Sequence, residues 1–406
     1  MTERVLKPGW KVWRFDQIAT SIGKRVEPGD TDAEYYVGLG HLDSDSLKIR
    51  RWGKPSDVEA TKLLFRKGDI IFGRRRVYQR KLAVAEFDGI CSAHAMVLRP
   101  KTDVVLHEFL PFFMQSDLFM QRALEISVGS LSPTINWRTL AKQEFALPPL
   151  AEQRRICHML KLLFTQVKNT RELLSSAKVL DLANLHTLIP FPIRIKGKYS
   201  LANQFLESGW RLARVSDISD VIRGASPRPK GDPRYYNGPI PRLMVEDITR
   251  DGMYVTPCID TLTEAGAKLS RYVSSGTIVM VCSGSVGVPS ILSVDACIHD
   301  GILALINVKD KIPSEYLYYV FLRMHREFIR LTTNGGIWSN LTTSILKSME
   351  IPIPPSNMMT CILDQLRTVT DATSLVLHRL RQTQAMYKQV INYTLGANGR
   401  VHESVQ

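Results

Sequence analysis

The sequence lacks the features of a secreted or membrane-spanning protein. Its six cysteines, at positions 91, 157, 258, 282, 297 and 361, stand singly along 406 residues. The first residues, MTERVLKPGW, contain no apolar core of a signal peptide, and no run approaches the about 18 apolar residues that a membrane-spanning helix needs. We therefore expect a cytoplasmic protein whose cysteines are reduced thiols.

Recognisable catalytic and metal-binding motifs are also missing. GLGHLD lacks the third glycine of a dinucleotide-binding fingerprint, and CSGSVG has the wrong spacing for a nucleophile elbow. The sequence contains no phosphate-binding G-x-x-x-x-G-K-S/T segment, no H-E-x-x-H, no zinc-deaminase signature and no Asn-Pro-Pro-aromatic tetrapeptide of adenine methyltransferases. Cys91 with His94, and Cys297 with His299, could suggest a metal site, but neither pair has a C-x-x-C partner or a second ligand cluster. We predict no catalytic site, metal or cofactor in this chain.

Positive charge, by contrast, is in excess. Lysine and arginine number 53 against 39 acidic residues, which gives a formal net charge of +14 and an isoelectric point of about 9.5. This balance favours a polyanionic partner, either nucleic acid or an acidic membrane surface, while a merely basic enzyme stays open. A chain of 406 residues is also long enough for two or more domains, each with its own core.

The chain consists of two tandem copies of one pattern. Gly9-Trp10 in KPGWKVWRFDQIA and Gly209-Trp210 in ESGWRLARVSDIS lie 200 residues apart. The pairs Pro148-Pro149 and Pro354-Pro355 are offset by 206 residues. Between them, matching blocks follow in the same order: KGDIIFG and SGTIVMV, HEFLPFFM and SEYLYYVF, SVGS and TNGG. This order predicts an internal duplication.

Each copy is predicted to have an α+β fold. Short β-branched or alternating runs predict strands at DIIFG, LAVAEF and AMVLRP in the first copy, and at TIVMVC, SILSV and GILALINV in the second. Apolar residues at helical spacing predict a helix at 107–125 and another at 314–331. A glycine-centred loop, a short strand, two prolines and a long helix follow in both copies.

A heptad repeat marks both long helices. Apolar side chains recur every 3.5 residues over several heptads, which is typical of a coiled-coil seam. Threonines and Asp181 at seam positions keep open the alternative that each helix packs on its own domain. The simplest assembly lays the helices antiparallel, as a spacer with one domain at each end and approximate two-fold symmetry. A helix of about 36 residues would be about 54 Å long. The predicted seam residues are Ile156, Leu160, Leu163, Val167, Thr170, Leu174, Ala177, Asp181, Asn184 and Leu188 in the first helix, and Ile362, Leu366, Val369, Thr373, Val376, Leu380, Thr383, Tyr387, Val390 and Thr394 in the second.

These patterns divide the chain into six segments. Pro149 and Pro355 suit helix starts because a proline in the first turn loses no intrahelical hydrogen bond. The predicted segments are a first globular domain at 1–149, a helix at 150–188, a connector at 189–206, a second globular domain at 207–355, a second helix at 356–396 and a tail at 397–406.

Basic residues cluster where nucleic acid would bind. Residues 62–81 hold eight lysines and arginines against one acid, and Arg74-Arg75-Arg76 directly follow a predicted strand. Arginine side chains match phosphate oxygens and the guanine edge. The equivalent second-copy loop, CSGSVGVPS, is uncharged, and basic residues move to 221–236, so the two domains are expected to read different sequences.

Two glycine-centred loops, at 126–137 and 332–343, permit close backbone approach to phosphates or bases, although a structural turn explains each loop equally well. For any single arginine, a solvated surface charge is the alternative. The predicted DNA-binding residues are Lys24, Arg25, His41, Arg74, Arg75, Arg76, Tyr78, Arg80, Lys81, Ser130 and Asn136 in the first copy, and Arg223, Ser226, Arg228, Lys230, Ser283, Ser285, Asn334, Trp338 and Asn340 in the second.

The arrangement resembles the specificity subunit of a type I restriction–modification system. The GW opening, KGDIIFG, the glycine-centred loop, LPPLAEQRRI and the heptad helix carry the resemblance, which extends over essentially the whole chain. PPLAEQRRI is its most specific segment. The second copy departs from it, since PPSNMMTCI keeps the two prolines and Ile362 but not the AEQ core.

The resemblance implies that each globular domain is a target recognition domain for one half of a bipartite asymmetric DNA site, with the helices setting the gap. It implies a non-catalytic chain that docks two methyltransferase subunits, which use S-adenosylmethionine to methylate adenine N6. Restriction subunits would then join for cleavage that depends on ATP and Mg²⁺. It also implies a prokaryotic, nucleoid-associated protein. Two other classes stay open: a self-sufficient nuclease or methyltransferase with unrecognised motifs, and a coiled-coil adaptor without sequence-specific DNA binding.

Overall fold

A computed structural model of the chain describes residues 6–195, 198–309, 311–333 and 340–395. The chain divides into two compact units. Unit 1 takes the residues up to 173 and those from 377 onward, and unit 2 takes residues 174–376. In the described part of the chain, no helix is both long and apolar enough to cross a membrane.

Unit 1 is built from short strands, short helices and segments of two long helices. Its strands are β1 (Lys11–Arg14), β2 (Ala19–Ser21), β3 (Arg25–Val26), β4 (Tyr36–Val37), β5 (Lys62–Phe65), β6 (Ile70–Gly73), β7 (Leu82–Val84), β8 (Gly89–Cys91), β9 (Ala95–Pro100) and β10 (Glu144–Leu147). Its helices are α1 (Phe15–Ile18), α2 (Phe109–Gln115), α3 (Asp117–Glu125), α4 (Trp137–Leu140) and the first part of α5 (Leu150–Leu188). Short 3-10 turns lie at Pro28–Asp30, Pro55–Asp57 and Val77–Gln79.

Two four-stranded sheets of unit 1 share one core. Their strand orders are β2-β9-β6-β7 and β3-β5-β8-β4. Phe65 and Cys91 from one sheet lie in the same buried cluster as Ile71 and Val97 from the other. The strands predicted at DIIFG, LAVAEF and AMVLRP are therefore confirmed, as β6, β7 and β9.

The helix predicted at 107–125 is interrupted, and that prediction was wrong in this respect. Ser116 has an extended backbone, with ψ 153°, and separates α2 from α3. Its hydroxyl accepts a hydrogen bond from the Phe119 N–H at 3.3 Å, so Ser116 caps α3. The equivalent helix of unit 2 is continuous.

Unit 2 repeats this plan, with more strands in its described residues. Its strands are β11 (Ile193–Ile195), β12 (Lys198–Ser200), β13 (Arg211–Arg214), β14 (Asp220–Arg223), β15 (Tyr236–Leu243), β16 (Tyr254–Val255), β17 (Asp260–Leu262), β18 (Arg271–Val273), β19 (Ile278–Val281), β20 (Pro289–Leu292), β21 (Ala296–Ile298), β22 (Ile302–Ile306) and β23 (Glu350–Ile353). Its helices are α6 (Asn203–Glu207), α7 (Val215–Ile218), α8 (Val245–Asp251), α9 (Glu264–Lys268), α10 (Ser314–Thr332), α11 (Thr343–Ser348) and α12 (Ser356–Leu395), whose last part belongs to unit 1.

The two larger sheets of unit 2 have the orders β14-β22-β19-β20-β16 and β17-β15-β21-β18. The strands predicted at TIVMVC, SILSV and GILALINV are confirmed as β19, β20 and β22. Helix α10 lies against this part of the unit, where Tyr316 is fully buried and donates a hydrogen bond to the Pro352 carbonyl at 2.7 Å.

The duplication is visible where each copy opens and closes. Strand β1 pairs antiparallel with β10, and β13 pairs antiparallel with β23. Gly9 and Gly209 have φ of +81° and +85°. A Cβ on Gly9 would lie 3.5 Å from the ring of Pro149, and a Cβ on Gly209 would lie 3.1 Å from the ring of Pro355. Glycine tolerates this left-handed backbone without strain. The Gly-Trp opening and the Pro-Pro joint of each copy are thus in contact.

The AEQ core of the first joint has a structural role. Gln153 is fully buried at the start of α5, where its Oε1 accepts from the Leu106 N–H at 2.8 Å. Its Nε2 donates to the carbonyls of Val104 and Pro148 at 3.1 and 2.9 Å. Met359 stands 206 residues later and packs against the apolar core of unit 2. The second copy therefore replaces a polar anchor by an apolar one.

In each unit, the segments of α5 and α12 run antiparallel. In unit 1 the rings of Phe164 and Tyr387 lie 6.0 Å apart. In unit 2, Thr370 donates to the Asp181 carboxylate at 3.2 Å, and the Asn184 amide donates to the Gln365 carbonyl at 3.3 Å. From Asp181 to Asn184 the contacts advance along α5, whereas their partners go back along α12 from Thr370 to Gln365, so the two segments run antiparallel.

The predicted seam positions are all buried or half-buried. Thr170 and Thr383 fit there because each hydroxyl donates to a carbonyl of its own helix, at 2.8 Å in both cases. Ile362 and Leu366 also belong to the core of unit 2, so the start of α12 packs on its own domain as well. Parts of these helices therefore pair along the predicted seam, and other parts pack on their own domain, as the alternative interpretation predicted.

Candidate nucleic-acid interface

The arginine triplet of unit 1 leaves the end of β6 in a short loop. Arg74 donates from Nε to the Ala93 carbonyl at 3.2 Å, and Arg75 lies 3.4 Å from Nε2 of His94. Arg76 is exposed and has a left-handed backbone, with φ +56°. Arg74 and Arg75 are half-buried, and each has further guanidinium N–H groups beyond those used in these contacts.

The glycine-centred loop of unit 1 is attached to this triplet. The Ile135 N–H donates to the Arg74 carbonyl at 2.9 Å, and the Arg76 N–H donates to the Pro133 carbonyl at 2.8 Å. Ser132 Oγ accepts from both Arg75 and Arg76, at 3.4 and 3.3 Å. Two segments predicted separately thus form one surface.

Two of the predicted loop residues, Ser130 and Asn136, are exposed on this loop. Asn136 immediately precedes α4, but its side chain makes no capping hydrogen bond. Asn136 therefore stays a predicted contact residue of this loop.

In the described part of the chain, the groups that contact the arginine triplet carry no negative charge that would cancel it. Burial, followed by the neighbouring guanidiniums of Arg75 and Arg74, lowers the pKa of His94 below its usual range. The ring is therefore neutral at pH 7, and its Nε2 can accept from Arg75. Within the residues that the structure describes, none of the three arginines forms an ion pair with a carboxylate, so an anion arriving at this loop meets three cations.

Sequence reasoning missed an apolar feature of the same loop. Leu131 is 91% exposed and Val128 is 74% exposed, although both are large hydrophobic side chains. Gly129, between them, has φ +110°, which lets the chain turn tightly there. The only sequence signal is a leucine between two serines in a turn, SVGSLSP.

Three predicted residues of unit 1 are held by contacts within the fold. Arg80 pairs with Asp45 at 2.8 Å and with Asp117 at 2.7 Å, and it also donates to a main-chain carbonyl. Lys81 donates to a carbonyl at 2.7 Å, and His41 Nδ1 accepts from an N–H at 3.1 Å. Their polar groups are thus engaged in holding unit 1 together. Lys24, Arg25 and Tyr78 are exposed.

The backbone contacts at the end of β6 in unit 1 recur at the end of β19 in unit 2. In unit 1 the Arg74 N–H donates to the His94 carbonyl at 3.2 Å, and the Arg74 carbonyl accepts from Ile135. In unit 2 the Cys282 N–H donates to the Gly301 carbonyl at 2.8 Å, and the Cys282 carbonyl accepts from Leu341 at 2.9 Å. We call each three-segment contact the strand-end junction. The uncharged CSGSVGVPS loop is therefore the structural counterpart of the arginine loop.

Basic residues reach the unit 2 junction from a different segment. Arg223 donates from Nε to the Asp300 carbonyl at 2.7 Å, and Arg228 lies 3.6 Å from the Asp300 carboxylate. Asp300 directly precedes Gly301 of the junction. The structure thus brings the 223–230 segment and the CSGSVGVPS loop together, as the sequence alone did not show.

Ser226 belongs to the interior of this segment. It is half-buried and accepts a hydrogen bond from Arg242, a buried residue that also pairs with Asp260 at 2.6 Å. Ser283 is half-buried, and Lys230, Ser285 and Asn340 are exposed. Asn334 and Trp338 lie outside the described residues.

The two Cys-His pairs show no metal-binding geometry. Within the described ranges, no group of three His, Cys, Asp or Glu side chains could hold a metal ion. Cys91 and Cys297 are fully buried, and burial raises the pKa of the Cys91 thiol to about 12.

Comparisons with known proteins agree with the duplication. A sequence profile described as the type I restriction modification DNA specificity domain matches residues 10–178 and again residues 207–383. The type I restriction enzyme EcoDI specificity subunit of Escherichia coli is 28% identical over 170 residues, which cover 41% of this chain and 38% of that relative.

A longer alignment is found with an archaeal relative. The provisionally named type I restriction enzyme MjaX specificity subunit of Methanocaldococcus jannaschii is 22% identical over 362 residues, covering 86% of this chain and 82% of that protein. The solved S subunit of a type I restriction-modification system from M. genitalium shares the fold, with a TM-score of 0.57 and 13% identity over 97% of this chain and 98% of that chain.

Proposed function

Because this chain belongs to the family of type I restriction–modification DNA specificity proteins, we propose that each unit reads one half of a bipartite, asymmetric DNA site. Unit 1 contacts one half-site through the arginine triplet and the attached glycine-centred loop. Unit 2 contacts the other through the 223–230 segment and the CSGSVGVPS loop.

One observation carries this proposal. Both units place arginines at the same strand-end junction, but the arginines come from different segments: 74–76 in unit 1, and Arg223 with Arg228 in unit 2. A framework shared by the two units, with different reading side chains, is what two different half-sites require, since base identity is read by the side chains that reach the groove.

The long helices are proposed to set the length of the unread gap. α5 has 39 residues and α12 has 40, which corresponds to helices about 60 Å long at about 1.5 Å per residue. Their outward faces are proposed to dock two methyltransferase subunits, and restriction subunits join through these.

The chemistry is assigned to those partners. S-adenosylmethionine, ATP and Mg²⁺ are proposed to bind there, and the complete assembly methylates adenine N6 and cleaves DNA with ATP. The chain itself is proposed to be non-catalytic and to associate with the nucleoid through its DNA sites.

The chain is also proposed to hold distorted DNA. An adenine in a duplex must leave the stack before it can enter a methyltransferase pocket. Apolar side chains that insert between base steps assist such distortion. Leu131 is the side chain of unit 1 best placed for this, because it is exposed beside three arginines.

A direct test uses the purified chain and the reconstituted methyltransferase complex. We expect gel-shift competition to show preference for duplexes with the methylated motif, and methyl transfer only from the complex. Equal affinity for all duplexes would indicate an adaptor. Methyl transfer or cleavage by the purified chain alone, with metal and S-adenosylmethionine, would indicate a self-sufficient enzyme.

A further inference from the structure

A cavity in unit 1 shares no lining residue with the strand-end junction. Its volume is about 290 Å³, near the lower end of the range of small-ligand sites, about 300–1,000 Å³. Its walls come from the loop after β4, the end of α2, the middle of α5 and the last turns of α12. Every lining residue belongs to unit 1.

The cavity carries more positive than negative charge. Its lining includes five cationic side chains and one carboxylate, which are Arg50, Arg80, Lys168, Arg171 and Lys388 against Asp45. Three of the cations are balanced: Arg80 by Asp45 and Asp117, Arg50 by Asp43 at 2.8 Å, and Lys168 by Glu172 at 3.6 Å.

Two cations of the lining have no such balance. Over the part of the chain that the structure describes, no carboxylate forms an ion pair with Arg171 or Lys388. Burial, followed by the nearby Arg50, lowers the pKa of the Arg171 guanidinium, and Asp43 raises it; the group keeps its proton at neutral pH. Asp43 is already paired with Arg50 and Arg51, at 2.8 and 2.7 Å. A half-buried cation without an ion-pair partner of its own, as at Arg171, favours an anionic ligand.

A buried amide in the same lining also lacks a partner. Gln115 is 4% exposed, and its Oε1 accepts a hydrogen bond from the Tyr387 hydroxyl at 3.1 Å. Within the described residues, no group accepts a hydrogen bond from its buried Nε2. Leaving such a donor unpaired costs about 1–3 kcal/mol, which a ligand oxygen or nitrogen acceptor would recover.

The rest of the lining is apolar. Phe164, Val167, Tyr387 and Ile391 line the cavity, and the Phe164 and Tyr387 rings pack at 6.0 Å. A free inorganic anion would leave this surface uncovered, whereas an organic group would bury it.

We propose that this cavity binds a small organic phosphate monoester. Its phosphate group contacts Arg171 and Lys388, because a monoester carries about two negative charges at neutral pH and so balances two cations. Its organic group packs on Phe164 and Val167, and an acceptor atom of that group accepts a hydrogen bond from the unpaired Nε2 of Gln115. This inference does not depend on the proposed DNA function.

The test is isothermal titration calorimetry on the full chain with adenosine monophosphate, phenyl phosphate, adenosine and inorganic phosphate. We expect a phosphate monoester to bind one per chain, and to bind more tightly than either adenosine or inorganic phosphate. Arg171→Met and Lys388→Met should each weaken binding about 10- to 150-fold, the range for a lost hydrogen bond to a charged group. Arg154→Met, on an exposed position of α5, is the matched control and should bind as the native chain does.

Three results would overturn the proposal. The first is that neither monoester binds the native chain. The second is that inorganic phosphate binds as tightly as both monoesters, because the apolar wall would then contribute nothing. The third is that saturating duplex DNA displaces the monoester, because a backbone phosphate would then be the occupant. Lys388 is exposed, so its variant keeps the test valid if Arg171→Met fails to fold.

Discussion

Replacing Arg74, Arg75 and Arg76 together by alanine tests the unit 1 interface. Arg76 is exposed, and Arg74 and Arg75 are half-buried with guanidinium N–H groups left for a ligand. The three side chains can therefore contact up to three phosphates. Each phosphate contact contributes about 0.9 to the slope of log affinity against log salt, so the slope should fall by about 2.7.

The affinity change follows from that slope. Between about 50 and about 200 mM salt the concentration rises fourfold, so the native complex should lose about 40-fold more affinity than the variant complex over this range. The assay is fluorescence anisotropy of the reconstituted complex on a duplex carrying its methylated motif, repeated at several salt concentrations. Thermal melting of the variant should be measured beside it, because Arg74 and Arg75 also contact Ala93 and His94.

A matched triple variant separates local from overall charge effects. Lys11, Lys101 and Lys142 are exposed cations elsewhere in unit 1, and replacing them by alanine removes the same charge. We expect this control to keep most of the native slope. If the arginine variant keeps the native slope and affinity, or if the two triple variants behave alike, this loop is not the DNA contact of unit 1.

Further predictions concern the helices, the exposed leucine and the first Pro-Pro joint. Inserting one heptad into α5 alone should change the unread gap or disturb the seam, with both half-site sequences unchanged; altered half-site bases in a methylome would contradict this. Leu131→Ala should reduce the fluorescence increase of 2-aminopurine placed at the target adenine, whereas Leu124→Ala, an exposed leucine on α3, should not; equal effects would exclude insertion. Gln153→Met should lower the free energy of unfolding by about 2–5 kcal/mol in urea denaturation, because it leaves the half-buried N–H of Leu106 and the buried carbonyl of Pro148 unpaired. An unchanged midpoint would show that these groups find other partners.

The repeated architecture could be predicted because short local sequence patterns determine it. Gly9 and Gly209, the two Pro-Pro pairs and the heptads each leave a signal in the sequence, and the structure confirms them as paired openings, joints and long helices. The interruption at Ser116 could not be predicted in the same way. An apolar pattern continues across it, and the break depends on a serine that caps the next turn.

The candidate interface was less predictable, because it depends on contacts between distant segments. Arg80 looked like its neighbours in a basic run, but its partners Asp45 and Asp117 lie 35 and 37 residues away. Leu131 gave no periodic signal, since exposure is a property of the folded loop. Composition therefore identifies the basic segment, and the fold decides which of its side chains can reach a ligand.

Methylome sequencing tests the central claim, that each unit reads one half-site, most directly. It should compare cells carrying the native system with cells carrying a chain in which residues 10–149 come from another family member. We predict a bipartite motif in both, with one half-site replaced in the chimera and the other half-site and the gap unchanged. A chimera that alters both half-sites, or a native motif without two separated halves, would contradict the account.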